Sequence, residues 1–334
     1  MNIVLLLFTA PMALSWSLDS PEMKASKPTS SNRHFNSKVR SRTRHVTGLQ
    51  LHVEEAGPAE GPLLILLHGF PGFWWDWRHQ IEALAALGYH VLIPDMRGYN
   101  LSDKPQGIEA YHLDTLAADI IALAESYGHS TFGLVGHDWG GVVAWWAAAC
   151  FPQFIERLAI LNAPHPDVWR RLIRRRPIQV LRSSYVAFFQ LPLVPEALLK
   201  VGHFALLRRA LTGTSRPEAF TGQDIERYIE AWARPGALSA MLNYYRALRL
   251  RRWSRPRRVR PATLVIWGAR DVFLERQMAL ASLKLCEQGE ILFLEEATHW
   301  AHLEEVEVVN AALAGFFQRE HEIQTTDPSS GSAP

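Results

Sequence analysis

Short apolar runs alternate with longer segments of helical period between residues 44 and 320. The runs are "LLILLHG", "HVLIPD", "FGLVGHD", "RLAILN", "ATLVIWG" and "EILFLEE". Each is apolar on both faces, the pattern of parallel strands covered by helices on either side. Between them, Leu113, Leu116, Ala117, Ile120, Ile121 and Ala124 mark a helix over 112–127, and Leu303, Val306, Leu313, Phe316 and Phe317 mark another over 300–317. Residues 139–150 are apolar nearly all round, which predicts a buried helix. The alternation fails once. From 165 to 258 no buried strand is found, only helical and arginine-rich stretches. A block of roughly 90 residues between strands of one sheet is too long for a loop and predicts an inserted helical cap. The chain reads as α/β, a mostly parallel, doubly wound sheet with a core of 44–164 and 259–320 and a cap of 165–258.

The ends read differently. Residues 2–16, "NIVLLLFTAPMALSW", hold an apolar run too short to span a bilayer comfortably and within the length of a signal h-region, but no Lys or Arg precedes it. A signal, an anchor and a misplaced start are all compatible with residues 1–17. Residues 18–43 are polar and rich in breakers, a flexible tether, and 321–334 form a tail of the same kind. A cytoplasmic or membrane-associated protein is the expectation, with secretion left open by the first residues.

Composition adds two things. The only cysteines, Cys150 and Cys286, lie in apolar helical contexts, so they read as buried thiols and imply no disulfide framework or metal spacing. The net charge of +2 hides an asymmetry, because residues 165–260 hold 20 Lys and Arg against 6 Asp and Glu. Runs such as "WRRLIRRRP" suit an anionic surface, although a solvated arginine face is the simpler reading. No nucleic-acid motif accompanies the charge, so nucleic acid is not an expected partner. Peripheral membrane contact, through the N-terminus or the arginine-rich cap, stays an expectation.

The chemistry starts in "FGLVGHDWGG", which reads strand, sharp turn, helix. Gly136 and Gly140 flank Asp138 in the layout that lifts a nucleophile above a sheet. An aspartate there can attack carbon and form an alkyl-enzyme ester; capping of the following helix is the plainer alternative. Such an ester needs activated water. His299, in "EEATHWAHLEE" after the last strand run, stands where the base follows nucleophile and acid in chain order. Asp271, in "IWGARDVFL", is suited to orient the imidazole and stabilise its cation. In "LLHGFPG" the backbone N–H of Phe70, with that of Trp139, could form an oxyanion hole. His68, His137 and His302 read as packing or turn residues. The aromatic stretch "GFWWDWRHQ" offers Trp74 as an apolar substrate wall, with Trp139 as a second contact, or else a helix start anchored in the core.

Taken together, "HGFPGFWWDWRHQ", "DMRGYNLSDKP", "GHDWGG", "GARD" and "THW" resemble the α/β-hydrolase superfamily, in particular its epoxide hydrolase branch, over roughly residues 44–318. The resemblance implies an α/β-hydrolase fold, a catalytic triad of Asp138, Asp271 and His299, a small apolar epoxide and water as reactants, a vicinal diol as product, and no metal or organic cofactor. It also implies a pair of proton-donating cap tyrosines, matched here by Tyr185 in "SSYVAFFQLP" and Tyr245 in "LNYYRAL". A phenol suits the role because it keeps its proton at neutral pH. Haloalkane dehalogenases share the Asp nucleophile and are the enzymatic alternative, but Phe70 stands where many of them carry Asn. A hydrolase-fold scaffold with a basic, anion-binding cap is the non-enzymatic alternative. One departure, Asn100 in "RGYNLSDKP" where many relatives have Gly, has no explanation in the sequence.

Overall fold

The structure, a computed structural model, describes residues 39–250 and 258–319. The N-terminal apolar segment, the C-terminal tail and most of the arginine run after Leu250 lie outside those residues.

Eight strands form one sheet: β1 (Arg40–Val46), β2 (Leu49–Ala56), β3 (Leu63–Leu67), β4 (His90–Pro94), β5 (Phe132–His137), β6 (Ile155–Leu161), β7 (Ala262–Gly268) and β8 (Gly289–Leu294). Their order is β1-β2-β4-β3-β5-β6-β7-β8; β1 and β2 pair antiparallel and every other pair except β2–β4 is parallel. Side chains alternate between two cores. Along β3, Leu63, Ile65 and Leu67 join one and Leu64 and Leu66 the other. Helices α1 (Ile81–Ala86), α2 (Leu113–Ser126) and α3 (Asp138–Cys150) follow β3, β4 and β5. α3 is buried on nearly every side, as its sequence predicts.

The expected insertion lies between β6 and β7. It contains α4 (Pro166–Ile173), α5 (Pro177–Arg182), α6 (Ser184–Phe188), α7 (Val194–Thr212), α8 (Gly222–Ala233) and α9 (Ala237–Ala247). α7 is interrupted at Gly202–Phe204, where three consecutive residues take positive φ. Beyond the cap come α10 (Arg276–Leu283), α11 (Ala301–Glu304) and α12 (Val306–Gln318).

All six apolar runs are strands. β1 and β2 are additional, and β1 includes Arg40–Thr43, which the sequence assigns to the tether. Its side chains are mostly exposed at a sheet edge, so no apolar run marks it. β8 is the opposite edge and only half-buried, despite its apolar sequence.

The strand order reverses at β3 and β5, which pair in parallel with Leu67 opposite Gly136. The turns leaving these two strands therefore sit side by side at the carboxyl edge of the sheet, where open α/β sheets place their sites.

Candidate active site

Asp138 leaves β5 with φ 49°, a left-handed conformation rare for any residue but glycine. Gly136 and Gly140 permit this. A Cβ on Gly136 would meet the Gly140 backbone, and one on Gly140 would run into the Leu67 and His68 carbonyls. The carboxylate is thus held above the sheet at the start of α3. Its Oδ1 accepts from the Phe70 N–H at 2.8 Å. Trp139 occupies the first turn of α3, where backbone N–H groups have no partner within the helix.

His299 and Asp271 come from the loops after β8 and β7. His299 Nδ1 lies 2.8 Å from Asp271 Oδ2, and its Nε2 lies 3.6 Å from Asp138 Oδ2. Asp271 is fixed in turn. Its Oδ1 accepts from the backbone N–H groups of Phe273 and Leu274 at 2.7 and 3.0 Å, and its Oδ2 accepts from Asn162 Nδ2 at 2.8 Å. Asn162, at positive φ after β6, also accepts from Gly268 N.

The charges support one another. Burial opposes a charged imidazole at His299, yet the charge of Asp271 and the hydrogen bonds to Asp138 and Asp271 raise it to about 10. Burial likewise opposes the Asp138 carboxylate, but the hydrogen bond and charge of His299 hold it below the usual range. Each of the two groups, His299 and Asp138, thus favours the charged form of the other.

Tyr185 on α6 and Tyr245 on α9 face this carboxylate from the cap. Their rings meet edge to face at 5.8 Å, and Tyr245 packs against Phe70 and Trp139. Burial, and after it the carboxylate of Asp138, raises the Tyr185 phenol; burial, Tyr185 and Asp138 raise Tyr245. Both phenols therefore hold their protons. Two apolar cavity limbs of about 530 and 660 Å³ share Asp138, Tyr185 and Tyr245. One reaches Trp139 and Trp169, the other Phe189, His299 and Trp300. Trp74 lies outside both limbs, half-buried against the core, where it meets Phe73 and Trp75 edge to face.

Other residues shape the site without being legible beforehand. His137 Nε2 lies 2.9 Å from the His299 carbonyl, which accepts only, so this nitrogen donates and holds the loop of His299. Glu304 closes the same loop, accepting from Thr298 N and Oγ1 at 2.7 and 2.6 Å. Asn100 is now explained. It takes positive φ, donates to Asp95 Oδ2 at 2.8 Å and accepts from Arg234 Nε of the cap at 2.8 Å. Behind His299, Asp76, His137 and His302 bring buried donor atoms within 4.8 Å of one another, a carboxyl group and two imidazoles of the kind that bind divalent metals. Burial raises Asp76 to about 7 and lowers His137 to about 3, pushing both groups toward their uncharged forms.

A carboxylate on a strand-turn-helix elbow, with a second carboxylate and an imidazole on loops at the same edge of the sheet, is the arrangement of an α/β hydrolase, and a family model for the alpha/beta hydrolase fold matches residues 62–306. The chain belongs to the α/β-hydrolase fold family, and within it groups with the epoxide hydrolases. It is 44% identical over 277 residues to the AB hydrolase superfamily protein YfhM of Bacillus subtilis, covering 83% of this chain and 97% of that one. It is 38% identical over 280 residues to Epoxide hydrolase 4 of Mus musculus, covering 82% and 78%. A crystal structure of Bacillus megaterium epoxide hydrolase with an inhibitor matches at a TM-score of 0.76 and 30% identity, over 83% of this chain and all 100% of that one.

Proposed function

We propose that the protein hydrolyses an apolar epoxide to a vicinal diol through a covalent ester on Asp138. The observation that carries this reading is the pair of phenols, half-buried Tyr185 and buried Tyr245, lining the same cavity as the Asp138 carboxylate. Asp138 attacks an epoxide carbon, the C–O bond breaks, and one phenol gives its proton to the departing oxygen. A hydroxyalkyl ester and a phenolate result. Esterification removes one of the two anions that raise His299, so the imidazolium yields its proton to restore the phenol. Neutral His299 then takes a proton from water as the water attacks the ester carbonyl. The oxyanion develops on Oδ1, already held by Phe70 N–H, with Trp139 N–H as second donor. Collapse passes the carboxyl proton to the leaving alkoxide, and diol, Asp138 carboxylate and His299 imidazolium are regenerated. Every proton is accounted for with no cofactor.

Two limbs meeting at the nucleophile suit an epoxide bearing apolar groups on both carbons. A haloalkane dehalogenase would have no use for paired phenols opposite its nucleophile. The test is a single turnover of a styrene-oxide-like epoxide in heavy-oxygen water. Label in the Asp138 carboxylate with unlabelled diol supports the ester route; labelled diol with unlabelled Asp138 means direct attack by water and sinks it. Turnover of haloalkanes but not epoxides would select the dehalogenase reading.

A further inference from the structure

The outer surface of the cap departs from the rule that helices bury their apolar side chains. Among residues 174–182, "RRRPIQVLR", only Gln179 is buried. Its amide donates to the Phe273 carbonyl and Ser183 Oγ at 2.8 and 2.9 Å and accepts from Glu275 N at 3.1 Å, tying α5 to the core by a polar side chain. The aliphatic residues of this helix point the other way: Ile178, Val180 and Leu181 are each about half exposed, at 51%, 50% and 50%. The turn before α7 continues the theme, with Leu193 79% exposed. Among the described residues nothing covers these side chains, and exposed aliphatic clusters mark surfaces that meet something else.

Beside α5 the surface is basic. Arg170, Arg171, Arg174 and Arg175 line an open concavity of about 540 Å³ in which Asp167 is the one acidic residue. Arg176 is turned inward on Glu275, at 2.7 Å. Aliphatic side chains bordered by arginines meet the chemistry of a bilayer interface, where phosphate head groups lie over acyl chains. The same helix α4 that carries Arg170 and Arg171 outward lines one active-site limb with Pro166 and Trp169.

We propose that this face of the cap, α4 and α5, docks on the surface of an anionic phospholipid bilayer and sets the first limb beside the lipid. Docking itself is independent of the reaction proposed for the site; only the benefit to an apolar epoxide dissolved in the membrane rests on it.

The experiment is flotation of the full chain with phosphatidylcholine vesicles, with and without phosphatidylglycerol. It compares the parent with R171Q/R174Q/R175Q and with I178S/L181S. The parent is expected to float with the anionic vesicles and to be released by salt. Losing three arginines should weaken partition on the order of a hundredfold. The I178S/L181S variant should also weaken it. Both variants change exposed side chains, and unaltered melting temperatures verify that they fold. Three results overturn the proposal: no flotation, flotation indifferent to anionic lipid, or cap variants that float like the parent. A dimer of the parent in vesicle-free solution that I178S/L181S dissociates, with flotation unaffected, would reassign the face to a second copy of the chain. Activity on a water-soluble epoxide, measured in parallel, fails only if the catalytic reading is wrong.

Discussion

Asp138 and His299 each hold the other's charge, and this fixes two expectations at the level of single residues. Replacing Asp138 by Asn removes one of the anions that raise His299, so the imidazole of Asp138→Asn should titrate below the parent's value of about 10, as followed by NMR of the ring. The sign for stability follows. A folded value of about 10 against the ordinary 6.5 means that this proton stabilises the fold fully below pH 6.5, and that the contribution fades as pH rises through about 10. The melting temperature should fall over that window, and the fall should shrink in His299→Gln. The phenols make a separate expectation. Tyr245→Phe or Tyr185→Phe should slow ester formation about tenfold and the double variant at least about a hundredfold, while hydrolysis of a preformed ester is unchanged. Rapid-quench kinetics separate the two steps. The sequence points to Asp138, Asp271 and His299 because each stands at a fixed place relative to a strand end, and the structure brings the three side chains together. It does not point to Asn162, since the partner that gives it meaning, Asp271, is 109 positions away and adjacent only in the folded sheet.

Among the elements, six strands declared themselves by apolar runs, and β1 and β2 did not. Parallel strands buried on both faces carry their signature in hydrophobicity, whereas an edge strand spends its side chains on solvent. The helical period over 300–317 was also read correctly but taken as continuous. The chain breaks at Glu305 because Glu304 turns back to accept from Thr298 N and Oγ1 and from Arg216 N at 2.7, 2.6 and 2.8 Å. Periodicity records neither the local bonds to Thr298 nor the long-range one to Arg216, 88 positions away. Glu304→Ala should therefore lower stability by about 2–3 kcal/mol, at roughly 1 kcal/mol per bond lost, and reduce kcat more than it raises KM because the loop of His299 loosens. Urea melts and steady-state kinetics would measure both. At Gly140, in the first turn of α3, no side chain is tolerated: Gly140→Ala drives a methyl into the Leu67 carbonyl and is expected to abolish activity along with much of the fold's stability.

At the scale of the molecule, three of the polar contacts between cap and core converge on one segment. Trp232 Nε1 donates to the Pro71 carbonyl at 2.6 Å, Trp75 Nε1 to Asp224 at 2.6 Å, and Tyr228 OH to Asp76 at 2.5 Å. Tyr228→Phe leaves the buried Asp76 carboxyl without its donor and should cost about 1–3 kcal/mol, read as a lower melting temperature. All three ties land on residues 71–76, the segment that begins immediately after Phe70. The peptide that steadies the Asp138 carboxylate is thus the first link of the stretch on which the cap is moored. Cap and core are consequently poor candidates for exchange as modules. A foreign cap grafted onto this sheet, even with both tyrosines in place, would arrive without its moorings, and the donor to Asp138 would drift with them.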